Sequence, residues 1–352
     1  MGAKKISLEV FLRHIKSRHD KAYNRRFCFI LGSGASIESG IPTGAELVDR
    51  WLASMHRDEA PTGQSVEDWA AEAFRDVPGF QYVQRAEFYG EVYERMFHGQ
   101  WDAGYDELES TFAEKEPSFG YSILAHILAN TGHRVVITPN FDNLVADALF
   151  IYSNIAPIIC VHESLAGYAT HQVHRPLIVK IHRDLLFDPK SRQEQLRQLP
   201  EVLVAALTNL FRNFTPIVIG YGGNDAGFMK LFRELPAGVP DRLYWCSYGD
   251  KPPNDAVQQL LDERDGFLVS TLGFDRLMLR LREPFGVPDL VDAVQQRHAD
   301  RMERYRKKLD DLLAETQERS RSTGATTEEK QTAEAARQTA LQLSLIHISE
   351  PT

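Results

Sequence analysis

Along the chain, short runs of consecutive apolar residues alternate with longer stretches whose apolar positions recur every three or four residues. The runs predict five strands, Phe27–Leu31, Arg134–Thr138, Leu177–Ile181, Ile217–Gly220 and Leu243–Cys246, with a sixth at Phe267–Ser270. Their near-continuous apolar character, in place of strict alternation, suits strands buried on both faces of a parallel sheet. Helical spacing predicts an N-terminal helix with Leu8, Phe11, Leu12 and Ile15 on one stripe. It also predicts helices at Ala45–Met55, Asn143–Tyr152, Gln193–Phe211 and Phe228–Leu235. Strands alternating with helices imply an α/β fold built on a doubly wound parallel sheet. In such sheets ligands bind beyond the carboxyl ends of the strands.

Between about residues 55 and 122 the strand signal vanishes and aromatic residues accumulate, among them Trp69, Phe74, Tyr82, Tyr89, Tyr93 and Phe97. We read this segment as a helical insertion packed over one edge of the sheet, its aromatics forming core more than a ligand cage. Leu290 to Leu313 predicts a long charged helix with Met302, Tyr305, Leu309 and Leu312 at heptad-like spacing, a stripe suited either to docking or to self-association. The expected organisation is one large domain over 1–285, a helical segment and linker over 286–342, and a tail over 343–352. That tail, LSLIHISEPT, resembles a translated sequencing-adapter read-through and is expected to be non-native.

A formal charge of −9 argues against direct nucleic-acid binding. No apolar run approaches the roughly 20 residues that span a bilayer, so no membrane partner is expected. The N-terminus lacks a signal-peptide core, and a cytoplasmic location is expected. Three scattered cysteines, Cys28, Cys160 and Cys246, read as small buried hydrophobes in a reducing compartment. His171 and His174 have metal-like spacing without an accompanying carboxylate set, and read as loop histidines.

Chemistry-bearing residues collect at the strand ends. The first predicted strand runs into Gly32-Ser33-Gly34-Ala35-Ser36, then Pro42 and a helix start near Thr43. Glycines let backbone amides approach a phosphate, and a helix N-terminus favours negative charge; a plain tight turn is the competing reading. The second strand ends in Thr138-Pro139-Asn140-Phe141-Asp142, where Asn140 and Asp142 are either ligand groups or helix caps. The third ends in Lys180-Ile181-His182-Arg183-Asp184, and the fourth in Gly220-Tyr221-Gly222-Gly223-Asn224-Asp225. Four such elements on one edge are hard to explain as turns alone.

The order GSGAS, SGIP, TPNFD, KIHRD and GYGGND resembles the sirtuin-like (silent information regulator-like) domains of bacterial antiphage defence proteins. The resemblance implies a Rossmann-like fold with a small helical module, acting as an NAD⁺ hydrolase that depletes NAD⁺ in abortive infection. It places the family's essential asparagine on Asn140, its catalytic histidine on His182 and the accompanying aspartate on Asp142. NAD⁺, as substrate, is expected against Gly32, Ser33, Gly34, Ala35, Ser36, Pro42 and Thr138, with Gly220, Tyr221 and Asp225 on the adenosine side. Zinc is not expected, since three cysteines cannot build the four-cysteine module of the protein deacylases. Arg183 stands where the family usually has glycine. The family also implies a homo-oligomer, or partnership with an ATPase, an Argonaute-like protein or a C-terminal sensor.

Nicotinamide leaves NAD⁺ as a neutral group from a cationic centre, so its departure needs no proton donor, and the transition state resembles an oxocarbenium ion. Asn140 is expected to orient ribose and water, His182 to act as base, and Asp142 to orient ribose or support charge. A cyclase or ADP-ribosyltransferase would use the same residues, and a non-catalytic nucleotide-sensing module would bind without turnover.

Overall fold

A computed structural model describes residues 4–20, 26–161, 174–181, 199–250 and 252–322. His182, Arg183, Asp184, His171, the first residues of the helix expected from Gln193, and the 343–352 tail lie outside the described residues. Among the described residues eight strands form one sheet: β1 (Lys4–Ile6), β2 (Arg26–Leu31), β3 (Val135–Thr138), β4 (Ile158–Cys160), β5 (Leu177–Lys180), β6 (Phe214–Ile219), β7 (Tyr244–Tyr248) and β8 (Phe267–Thr271). They lie in the order β1-β8-β7-β6-β2-β3-β5-β4, and every pairing is parallel. The fold is therefore the Rossmann-like α/β architecture that the apolar runs predict.

The six expected strands are present with ends displaced by a few residues. The largest displacement is instructive: β6 begins at Phe214, ahead of Pro216, where the sequence pattern starts it at Ile217. Proline has no N–H for a central ladder, but β7 joins β6 only from Ile217 onward. At Pro216 the strand has β2 alone as neighbour. Two edge strands, β1 and β4, escape the pattern because each has three residues and a single neighbour. Lys4 and Lys5 on β1 are exposed and blunt that edge against further pairing.

β2 and β6 lie side by side at the centre. From β2 the strands run outward through β3 to β5 and β4, and from β6 outward through β7 to β8 and β1. The reversal between β2 and β6 is a topological switch point, the place where loops diverge and leave a crevice. Helices cover the sheet: α1 (Leu8–Asp20), α6 (Phe119–Asn130), α7 (Leu144–Ser153), α8 (Glu201–Asn213), α9 (Ala226–Glu234), α10 (Asp255–Glu263) and α11 (Phe274–Leu281). On α1, Phe11 and Ile15 of the expected stripe are fully buried. All three cysteines are buried and free, as small hydrophobes should be.

At the amino end of the sheet a buried histidine ties three elements together. His133 Nδ1 accepts the Phe27 amide of β2 at 2.9 Å, and its Nε2 lies 3.0 Å from Nδ1 of His19 at the end of α1. Because Nδ1 is an acceptor, Nε2 carries the ring proton and donates to His19. Burial first, then His19 and Arg26, push the His133 pKa down to about 3.

The aromatic segment folds on α2 (Gly44–Glu59) as α3 (Val66–Ala73), α4 (Tyr89–Met96) and α5 (Trp101–Phe112). Trp51 and Leu52 of α2 meet Trp69, Phe74, Tyr93 and Phe97 in a core of its own. The module's anchor is thus α2, which leaves the carboxyl edge of β2. The chain divides at 288/289, and the second unit begins with α12 (Leu290–Ser322), a helix that exposes Met302, Tyr305 and Leu312.

Candidate functional site

Beyond β2 the chain makes a short 3-10 turn over Ser33–Ala35, and beyond β6 it turns at Gly220 with φ of +65°. The two turns interlock. The Gly32 amide donates to the Ile219 carbonyl at 3.0 Å and the Gly34 amide to the Gly220 carbonyl at 2.8 Å. A Cβ on Gly32 would sit 2.5 Å from the Gly220 oxygen, and one on Gly34 would sit 2.9 Å from it. The Ala35 and Ser36 amides donate back to Gly32 and Ser33. Those four amides are therefore committed within the protein. The glycines are needed because two backbones touch here.

A cleft of about 740 Å³ opens above this junction, between the strand tips and the helical module. Ser33, Gly34, Pro42, Gly220, Tyr221 and Asp225 line it from the two turns, and Asn140 and Asp142 from the end of β3. Sequence reasoning also named Ala35, Ser36 and Thr138, which are buried beneath the cleft floor. Tyr221 is mainly a core residue, its ring packed on Phe228 and Trp245. The Asp225 carboxylate accepts the Phe228 amide at 2.9 Å and caps α9.

Ser36 organises the cleft floor. Its hydroxyl donates to Asp142 Oδ2 at 2.7 Å and accepts from Asn140 Nδ2 at 3.2 Å. The Tyr121 hydroxyl lies 3.2 Å from the same oxygen. Burial drives the Tyr121 pKa well up, with Asp142 adding to it, so the phenol stays protonated and is the donor. Asp142 Oδ1 accepts the Leu144 amide at 3.2 Å. Burial raises the Asp142 pKa, while Ser36, the Leu144 amide, Lys180 and Asn140 act in the opposite direction. Both carboxylate oxygens are engaged inside the protein, so this aspartate fixes its neighbours. Thr138 donates to the Leu31 carbonyl at 2.7 Å and accepts the Asn140 amide at 3.0 Å, which joins β2 to the turn that carries Asn140.

Several cleft residues went unread in the sequence. Phe88, Tyr89 and Phe112 of the helical module line the opposite wall, with Glu87 and Glu91. Nothing in an aromatic-rich segment separates these from the core aromatics beside them. Ser247 and Tyr248, the last two residues of β7, and Asn254, which precedes α10, also line the cleft. Asn254 caps α10 by accepting the Val257 amide at 2.9 Å.

The helix expected near Thr43 starts at Gly44 with a complete capping box: the Glu46 amide donates to Thr43 Oγ1 at 3.2 Å, and the Thr43 amide donates to the Glu46 carboxylate at 2.6 Å. The Glu46 carboxylate thus already stands at the positive end of α2. Thr43→Ala is expected to destabilise the fold by about 1 kcal/mol. Urea unfolding of the two proteins would measure it, and an unchanged midpoint would show that α2 is held by packing alone.

Among the described residues no group of three or more His, Cys, Asp or Glu side chains could hold a metal ion. Nor is any helix there long and apolar enough to cross a membrane. No curated protein matches the chain. Residues 134–269, which run from the start of β3 into β8, match the family model described as a SIR2-like domain, a family typically of NAD⁺-dependent enzymes. The strand β2, its glycine turn and the helical module precede that match, and share one sheet and one cleft with it. Over residues 134–269 the chain therefore carries a sirtuin-like domain.

Proposed function

We propose that the protein is an NAD⁺ glycohydrolase, releasing nicotinamide and ADP-ribose, and that it serves as the NAD⁺-depleting effector of an antiphage system. The observation that carries this reading is the cleft at the switch point, with Asn140 on its floor and two interlocked glycine turns beneath. A dinucleotide fits such a cleft in size, since ligand sites commonly measure about 300–1,000 Å³. Its pyrophosphate would lie over Ser33, Gly34 and Gly220, with adenosine towards Tyr221, Asp225 and Asn254.

Asn140 has its amide nitrogen held by Ser36, which leaves the side-chain oxygen to accept from a ribose hydroxyl and orient the attacking water. Asp142 keeps Ser36 and Asn140 in register. His182, two residues beyond β5 in the chain, is assigned as the base. Positioning must supply much of the acceleration, because one general base contributes about 10²–10⁴-fold. The defence role, the oligomer and any ATPase, Argonaute-like or C-terminal sensor partner rest on the family resemblance.

The test is incubation of the purified chain with NAD⁺, followed by chromatography of nicotinamide and ADP-ribose. Asn140→Ala and His182→Ala are each expected to slow nicotinamide release by about 100-fold or more while leaving the fold intact. Undiminished turnover in both variants would remove the assignment. Cyclic ADP-ribose or a labelled protein as main product would move the activity to a cyclase or a transferase.

A further inference from the structure

Lys180 is the last residue of β5 and is buried, at 4% exposure. A lysine is rarely so buried without partners. Its ammonium donates to the Phe141 carbonyl and to Asn143 Oδ1, both at 2.8 Å. These two acceptors flank Asp142 in the turn that leaves β3. In the sheet, Lys180 sits beside Thr138, the residue from which that turn departs. The void beside the ammonium measures about 10 Å³, with Thr138, Asn140, Asp142, Asn143 and Lys180 on its walls. That is the lower limit for a single water, so bulk solvent does not stand in for the lysine.

From this geometry we infer that Lys180 is a positioning residue, a buried cation that locks the Asn140–Asn143 turn and so fixes where Asn140 meets the sugar. The inference rests on the glycohydrolase reading for its kinetic consequence, but not for its structural one. The ammonium takes the Phe141 backbone carbonyl, ahead of α7, and the side chain of Asn143, the residue that precedes its first turn. It thereby clamps both ends of the bend. The same residue stands two positions before His182, so one strand end both holds the amide turn and leads into the assigned base. Its hydrogen bonds to Phe141 and Asn143 both go to the asparagine turn and not to the glycine junction beneath the cleft. The two functions of the site separate accordingly: Gly32, Gly34 and Gly220 shape the dinucleotide floor, while Lys180 sets the reacting end.

Lys180→Met keeps the length and most of the volume but has no donor. It is expected to lower kcat for nicotinamide release by about 100-fold, the loss produced by a misplacement of about 1 Å, with KM for NAD⁺ little changed. Asn143→Ala alters an exposed residue and removes only one acceptor. It should lower kcat in the same direction by about tenfold, and the double variant should be no worse than Lys180→Met alone. Amide hydrogen exchange read over residues 139–144 supplies a measure independent of turnover. Both variants should speed exchange there and leave residues 32–36 and 219–222 unaffected.

Unchanged exchange at 139–144 in both variants would overturn the inference whatever the activity, and so would a rise in KM at constant kcat. If the Lys180→Met chain does not fold, the exchange and kinetics of Asn143→Ala decide alone. Wild-type protein that releases no nicotinamide would defeat the glycohydrolase reading instead, leaving the exchange result to judge the lysine.

Discussion

Replacing Gly220 by alanine is expected to destabilise the protein by about 3 kcal/mol or more and to abolish the proposed NAD⁺ turnover. The residue has φ of +65°, a conformation that costs an L side chain about 1–2 kcal/mol. Its Cβ would also run into the Ala35 amide nitrogen, and would lie 2.6 Å from the Gly34 carbonyl carbon. Both neighbours are backbone, so no rotamer change relieves the clash. The β2 and β6 turns must part, and the hydrogen bond from the Gly34 amide to the Gly220 carbonyl goes with them.

Gly222 is the control. A Cβ there would meet only the Asn224 carboxamide, at 3.3 Å, and that side chain can move. Gly222→Ala should therefore change stability by less than about 1 kcal/mol. Urea unfolding followed by circular dichroism would compare the two. A Gly220→Ala protein as stable as the wild type would mean that the turns do not touch as described.

Acid should loosen the fold through His133. In the native state its Nδ1 accepts an amide and its Nε2 donates to His19, so a second proton would face the Phe27 N–H. Burial holds the folded pKa to about 3, with His19 and Arg26 contributing, against about 6.5 when the chain is unfolded. The sign follows from proton linkage: the unfolded chain binds the extra proton first as the pH drops. The contribution of the neutral ring is fully present above pH 6.5 and is lost progressively between there and pH 3. Between pH 7.5 and 4.5 the loss is about 3 kcal/mol from this group. His133→Asn keeps an acceptor near Nδ1 for the Phe27 amide and removes the titration. Its stability at pH 7.5 should be lower than that of the wild type, and its fall towards pH 4.5 shallower by about the same 3 kcal/mol. Parallel pH profiles for the two proteins would show that His133 is not the acid-sensitive group.

What could be read in advance depended on how many neighbours a segment has. The central strands β2, β3, β5 and β6 announce themselves because burial on both faces demands unbroken apolar runs, as in Phe27–Leu31. β1 and β4 do not, since three residues on an edge need no such run. The site divides in the same way. Asn140, Asp142 and the two glycine motifs were legible as polar or small residues placed just past apolar strands. Phe88, Tyr89 and Phe112 were not, because an aromatic ring on a cleft wall and one in a core have the same local sequence signature. Lys180 stood in a motif already singled out, but a lysine at a strand end carries no sign of whether it meets solvent or a neighbouring turn.

By itself, then, the chain's order of apolar runs and helical stripes determined the layered α/β architecture and the edge of the sheet on which Asn140, Asp142 and the two glycine turns gather. Local chemistry is enough for that, since strand burial and turn formation depend on residues close in sequence. Only the tertiary structure decided which turns meet: that the glycines after β2 press on Gly220 after β6, that Ser36 reaches Asp142 and Asn140, and that Lys180 clamps Phe141 and Asn143. Those contacts join segments far apart in the chain, and their energies depend on distances of a few ångströms that exist only once the sheet has assembled its strands side by side.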